Sequence, residues 1–133
     1  MNLTERVEEG IRAQSFARFL GLEVVSAEPG TVTISCRKTE DMLQQTGSMH
    51  GGVIAAVAEA ASGYAALTLL PEGGSVLGVE YKLNFLRPVT GDVIHATSKV
   101  VKMGRRLIVI DVEVFDQASG KMVAKMLATT TPA

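Results

Sequence analysis

The run GGVIAAVAEAASGYAALTLL, from Gly51 to Leu70, most restricts what this 133-residue chain can fold into. Its small and apolar residues continue round every face at helical spacing, and Pro71 with Gly73 and Gly74 ends it, so the sequence predicts one long helix over 51–70. A helix apolar nearly all round cannot lie on a surface with one wet side; it must be wrapped by the rest of the protein. A membrane span is the rival reading. Alanine rather than leucine predominates in the run, it holds three glycines, and Glu59 sits at its middle. A carboxylate at a bilayer centre costs about 2.5–3.5 kcal/mol, so the sequence favours burial in protein over burial in lipid.

The remaining segments supply the wrapping. Thr4 can cap an amphipathic helix whose Val7, Ile11, Phe16, Phe19 and Leu20 face inward, with Gly21 as its stop. Leu22–Ala27 and Thr31–Thr39 read as a hairpin about Pro29-Gly30, the second strand alternating Val32, Ile34 and Cys36 with threonines and serine. Beyond the long helix, Leu77, Val79, Tyr81, Leu83 and Phe85 alternate with Gly78, Glu80, Lys82 and Asn84, the period of a half-buried strand. Val93–Met103 and Arg106–Asp116 follow, joined at Gly104-Arg105, with Ile108, Ile110, Val112 and Val114 on one face. A last strand places Met122, Ala124, Met126 and Ala128 together. Short connections make these strands antiparallel neighbours. The expected fold is therefore α+β, a curved antiparallel sheet around a central helix in one domain, 1–133. Pairing of sheet edges between two copies would remove an exposed edge.

Composition narrows the function. Thirteen basic residues against fourteen acidic, four Phe, two Tyr and no Trp leave neither a basic footprint nor a stacking platform, which argues against nucleic acid as a partner. Cys36 stands alone and the two histidines are isolated, so no disulfide and no zinc spacing is present. The first ten residues mix Glu5, Glu8 and Glu9 with Arg6 and lack the apolar core of a signal peptide, an expectation of a cytoplasmic protein. His95 and Cys36 fall in strand patterns without a partner and read as structural, and the dispersed methionines read as core filler.

Two features carry chemistry. Between His50 and Glu72, Glu59 is the one side chain that ionises near neutral pH. A carboxylate among alanines needs partners, water in a cleft, or a raised pKa. It could instead pair with a cation such as Arg87 or reach solvent at the sheet rim. At the start of the same helix, Ser48-Met49-His50-Gly51-Gly52 offers backbone N–H groups without intrahelical acceptors, and glycines that let a ligand approach. Such N–H groups at a positive helix end polarise a carbonyl and stabilise the alkoxide formed on attack; the glycines could equally form a tight junction into the helix. Gly51 and Glu59 stand eight residues apart, about 12 Å along one helix, too far to grip one small carbonyl. If both act on it, one must come from a second copy of the chain, so the arrangement demands at least a dimer.

At MHGGVIAAVAEAA, YKLNFLRPVTGD and VVKMGRRLIVIDVEVFD the sequence resembles the hotdog-fold thioesterases, in the PaaI-like and 4-hydroxybenzoyl-CoA thioesterase branch of small acyl-CoA thioesterases. The likeness runs from about Phe16 to Thr130, with Gln44 six residues before His50 and Glu59 nine after it. It implies an acyl-CoA thioesterase without a cofactor, CoA being part of the substrate, acting as a homodimer with sites at the subunit boundary and as a tetramer of two dimers. By the same resemblance, Glu59 is the catalytic carboxylate, as nucleophile or general base, and the Gly51 N–H polarises the thioester carbonyl. His50 orients the loop and Gln44 places an amide near the thioester. Gly52, Ser62 and Gly63 line the substrate site, and Lys102, Arg105 and Arg106 meet the phosphates of CoA, though a solvated basic turn is an equal reading of those three. One departure stands out: where relatives carry Ser or Thr four residues beyond the carboxylate, this chain has Gly63, and Ser62 lies about 100° round the helix from it. A non-enzymatic acyl-CoA-binding module and an acyl-thioester dehydratase or hydratase are the alternatives; both aromatic and short-to-medium aliphatic acyl groups remain open.

Overall fold

The computed structural model describes residues 1–133. Its elements run α1 (Leu3–Ala13), α2 (Ser15–Leu20), β1 (Glu23–Glu28), β2 (Thr31–Arg37), a 3-10 turn (Glu40–Met42), α3 (Gly51–Leu67), β3 (Val76–Phe85), β4 (Val93–Met103), β5 (Ile108–Asp116) and β6 (Met122–Pro132). The strands form one antiparallel sheet in the order β1-β2-β4-β5-β6-β3, and α3 packs against every strand except β1. This is the expected α+β arrangement of a sheet wrapped about a central helix. β5 supplies the middle of the core through Ile108, Ile110, Val112 and Val114, flanked by Ile34 of β2, Ile94 of β4 and Met126 of β6, all fully buried. Ser98 on β4 ties helix to sheet by donating to the Ala61 carbonyl of α3 at 2.7 Å.

Several expectations change. The N-terminal helix is capped by Asn2, not Thr4: the Asn2 side-chain oxygen accepts from the Glu5 N–H at 2.8 Å. The extended backbone of Gln14 divides it into α1 and α2. That break turns Phe16 and Phe19 outward, 60% and 68% exposed and stacked on each other at 6.3 Å, while Val7, Ile11 and Leu20 stay buried. α3 stops at Leu67 rather than Leu70: the N–H groups of Leu69 and Leu70 donate three residues back, tightening the end into turns, and Arg6 of α1 satisfies the carbonyls of Leu67, Leu70 and Pro71. The strand expected from Arg106 starts at Ile108, and of the methionines, Met42, Met49 and Met126 are core whereas Met1 and Met103 are exposed.

β3 departs most. A bulge between Gly78 and Glu80 breaks its pairing with β6. Directly paired residues share a face, and the partners Ala124, Met126, Ala128 and Thr130 are all buried against the core. Phe85, Leu83, Tyr81 and Gly78 therefore face α3, whereas Leu77 pairs with Thr131 on the opposite side. The extra residue of a bulge switches the alternation by one, so the single apolar face expected for 77–85 is split. Both sides remain open: Leu77, Val79, Tyr81 and Phe85 are exposed, and β3 is a sheet edge with no strand beyond it. α3 is likewise not wrapped all round. Ile54, Val57, Ala58, Ala61 and Ala65 meet the sheet, while Gly52 and Glu59 are exposed and Ala56, Ala60 and Gly63 half-buried on the remaining side.

At the other end of the sheet, Asp116 is 1% exposed and closes two loops at once. Its carboxylate accepts from the N–H groups of Thr90, Gly91 and Ala118 and from the Thr90 hydroxyl, at 2.8–3.0 Å. Burial pushes its pKa upward, but these donors outweigh it and hold the carboxyl below the ordinary 3.8. A carboxyl with a depressed folded pKa stabilises the fold above its unfolded value and loses that contribution as pH falls through the folded one. D116N should therefore cost about 1.5–3 kcal/mol at neutral pH, and its deficit relative to wild type should shrink below pH 3.8, as followed by urea unfolding across pH.

Candidate active site

The loop before α3 is built to present a helix start. Buried Met42 and Met49 anchor it, Leu43 bridges Met49, and the Gln44 N–H donates to the Ser48 carbonyl at 2.9 Å. Four backbone N–H groups at a helix start lack intrahelical partners, and here each can be accounted for. The His50 N–H donates to the Met42 carbonyl at 2.7 Å, Val53 donates to the His50 carbonyl, and Gly52 donates to His50 Nδ1 at 2.8 Å. The Gly51 N–H alone has no acceptor. Because Nδ1 accepts, the proton of the neutral His50 ring resides on Nε2. No acidic residue occupies the first turn, so the positive end of the helix is uncompensated. The Phe85 ring covers Gly51 so closely that a Cβ there would lie 2.9 Å from it, which confines the position to glycine unless the ring moves.

Glu59 lies two turns further along α3 on the side that the sheet leaves open. It enters no ion pair, and its carboxylate accepts no hydrogen bond within the chain. Arg87, the cation that could have clamped it, donates instead to the Met122 carbonyl. Although the residue is exposed, the packed walls around its carboxyl strip enough water to raise its pKa above the ordinary 4.5. Tyr64 shares this setting: burial, and then the Glu59 charge, push its phenol up to about 12. Two adjoining depressions meet at Glu59. One, of about 450 Å³, lies between α3 and the β3–β6 pair and includes Gly52, Ser62, Gly78, Tyr81 and Thr130. The other, of about 310 Å³, lies between α3, the end of α1 and the start of β3 and includes Gln14, Gly63, Tyr64 and Thr130. Gly78 makes the meeting point: a Cβ there would stand 3.2 Å from Glu59 Oε1.

The expected site residues thus divide. Glu59, Gly52, Ser62 and Gly63 line the two depressions, but the Ser62 hydroxyl turns back to the Glu59 carbonyl at 2.6 Å. His50 and Gly51 stand about 12 Å along the helix from Glu59, and the Gly52 N–H, expected to be free, is taken by His50. Gln44 lies in the loop, its amide oxygen accepting from the Thr46 N–H and hydroxyl, both at 2.6 Å, and it lines neither depression. Lys102, Arg105 and Arg106 are exposed at the β4–β5 turn and also lie outside both. One chain therefore does not bring these sets together. Gly78, Tyr64, Gln14 and Thr130 were missed by sequence reasoning. A glycine interrupting a strand signals a bulge or close approach and could have marked Gly78; nothing local marks Thr130. No cluster of residues suited to a metal ion is present, and no helix is long and apolar enough to cross a membrane.

Comparison with known proteins identifies the family. The thioesterase superfamily model matches residues 46–123, more than half of the chain. Human acyl-coenzyme A thioesterase 13 is 29% identical over 126 residues, covering 93% of this chain and 89% of that protein. The acyl-coenzyme A thioesterase PaaI of Escherichia coli is 30% identical over 102 residues, 76% of this chain and 71% of its own. Among solved structures, a thioesterase family protein from Silicibacter pomeroyi superposes with a TM-score of 0.92 at 32% identity, covering 98% of both chains. The chain belongs to the thioesterase superfamily and is a thioester hydrolase of the PaaI-like, hotdog-fold branch.

Proposed function

We propose that the protein hydrolyses acyl-CoA thioesters of small aromatic or short-to-medium aliphatic acids, with Glu59 as the catalytic carboxylate. The observation that carries this reading is an unpaired carboxylate of raised pKa, in the middle of an apolar helix, facing an open depression. The names of the human and E. coli relatives, both acyl-coenzyme A thioesterases, support CoA as the leaving group.

The thioester carbonyl oxygen accepts from the Gly51 N–H at the positive end of α3, which stabilises the charge that develops on attack. Glu59 attacks the carbonyl carbon or takes a proton from water that does so. The carbon–sulfur bond breaks and CoA leaves as the thiolate. Since Gly51 and Glu59 of one helix stand about 12 Å apart, the N–H and the carboxylate come from two copies of the chain. The unpaired β3 edge, ten residues long with exposed Leu77, Val79, Tyr81 and Phe85, supports pairing of two copies there. A twofold dimer would run the two α3 helices past each other and bring each Glu59 toward the other helix's start. His50, Gln44 and the basic β4–β5 turn with Lys102, Arg105 and Arg106 then serve the partner's site.

Four measurements test this. Release of free thiol from a panel of acyl-CoAs should be rapid in wild type and fall roughly 10³-fold or more in E59Q; a binding module would release none. Ionised Glu59 is the active form, so kcat/KM should fall as pH drops through a midpoint above 4.5. The same raised pKa penalises the folded state once the carboxyl ionises, so E59Q should melt no lower than wild type at pH 7. A composite site predicts complementation: G51V, whose side chain would collide with the Phe85 ring at the helix start, should be inactive alone, and E59Q mixed and refolded with it should recover about one quarter of wild-type sites, whereas a site within one chain recovers nothing.

A further inference from the structure

Glu59 stands at one end of a groove that no step of the hydrolysis uses. The depression of about 310 Å³ runs from Glu59 along the face of α3 formed by Ala60, Gly63, Tyr64 and Leu67, with Gly10 and Ala13 of α1 as its other wall. The seven-residue step from Ala60 to Leu67 makes it about 10.5 Å long. Glu59 is the one charged residue that lines it, and the Ser75 and Tyr64 hydroxyls are engaged with the Ala133 main-chain oxygen and the Gln14 amide oxygen. Past Leu67 the character changes: the adjoining depression shares Gly10, Ala13 and Leu67 but brings in Arg6, Glu9 and Glu72.

Two glycines widen the groove at a cost to the helices. Gly10 and Gly63 lie inside α1 and α3, where glycine is less stable than alanine, and neither has a positive φ that would call for it. A Cβ at Gly10 would press on the Tyr64 ring at 3.2 Å, but at Gly63 it would meet Val76 at an ordinary 3.6 Å. The fold therefore has room for alanine at 63, and the glycine keeps open a space that the chain itself does not fill. The proposed dimer leaves that space open too. If Gly51 of one helix and Glu59 of the other act on one carbonyl, the two antiparallel helices cross at Ala55, midway between them. The partner helix then covers the other depression, which includes Gly52, Ala55 and Ala56. It begins level with Glu59, so no part of it reaches Gly63 or Leu67.

We propose that this groove holds a straight, medium-length acyl chain in preference to an aromatic ring, and that Gly63 of α3 and Ala13 of α1 set the bulk it accepts; the inference rests on Glu59 being the catalytic carboxylate. The thioester carbonyl stays between Glu59 and the partner's helix start, and the chain follows α3 toward Leu67. Methylene groups between Ala60 and Leu67 leave water for an uncharged wall. Each one is expected to raise kcat/KM about twofold to fourfold, and the gain lies in KM because the chain is held equally before and during attack. Methylenes past Leu67 enter the charged depression and gain little. A benzoyl ring fills only the end next to Glu59.

Thiol release from butanoyl-, hexanoyl-, octanoyl-, dodecanoyl- and benzoyl-CoA, measured for wild type, A13L, G63L and E59Q, decides the matter. For wild type, kcat/KM should climb from butanoyl to octanoyl, level off by dodecanoyl, and exceed the value for benzoyl-CoA. A13L fills the groove from an exposed position at the end of α1, and G63L fills it from α3. Each should lower the octanoyl-to-butanoyl ratio of kcat/KM on the order of tenfold, with the loss in KM. Should G63L fail to fold, A13L carries the comparison by itself, its melting temperature showing that the fold is intact. A flat chain-length profile in wild type, a preference for benzoyl-CoA, or an unchanged ratio in folded A13L would each overturn the assignment of the groove, while an inactive E59Q leaves Glu59 standing. An E59Q as active as wild type would remove the underlying reading, and the groove's occupant with it.

Discussion

An ionisable carboxylate with no cation and no hydrogen-bond donor beside it organises this molecule. Glu59 sits in the middle of α3, whose other side is packed against five strands, and its surroundings raise its pKa. A buried and paired glutamate would be held ionised and inert. A fully solvated one would have an ordinary acidity and no pocket. The half-enclosed position lies between these limits, where a carboxylate stays reactive and can meet a ligand. The chain maintains it by leaving one side of its own central helix bare.

That bare side and the bare sheet edge are continuous. β3 borders the depression that contains Glu59, and the bulge at Gly78–Glu80 shapes their boundary. Gly78 gives the carboxyl room, and the shift in alternation turns Tyr81, Leu83 and Phe85 toward the helix and Phe85 onto Gly51. One irregularity in one strand therefore adjusts the carboxylate and the helix start, which lie about 12 Å apart. In the proposed mechanism the open surface is where a second copy brings its own helix start. Reactivity and association would then share one cause: surface that the chain does not cover by itself.

The sequence made much of this legible, for physical reasons particular to each part. The Ile108–Val114 alternation and the small-residue run of α3 are strong signals because burial against one sheet face imposes period 2 and burial of a helix imposes apolarity. His50, Gly51 and Glu59 were visible because a helix start with paired glycines and a lone acid among alanines are both costly unless used. The 77–85 strand misled, since its regular alternation hides a bulge set by the pairing with β6. Phe16 and Phe19 misled because the backbone breaks at Gln14, which no proline or glycine announces.

The sequence by itself determined the α+β class, the central helix, the strand order in the chain and the identity of the odd carboxylate, because local periodicity and the cost of placing a charge among apolar groups are properties of short segments. The tertiary structure alone decided that Glu59 faces an opening, that Arg87 is engaged elsewhere, that His50 takes the Gly52 N–H and leaves Gly51's free, and that Thr130 is buried without a partner. Each of those depends on which distant residues the sheet register brings together, and register is set by the summed packing of all six strands rather than by any one of them.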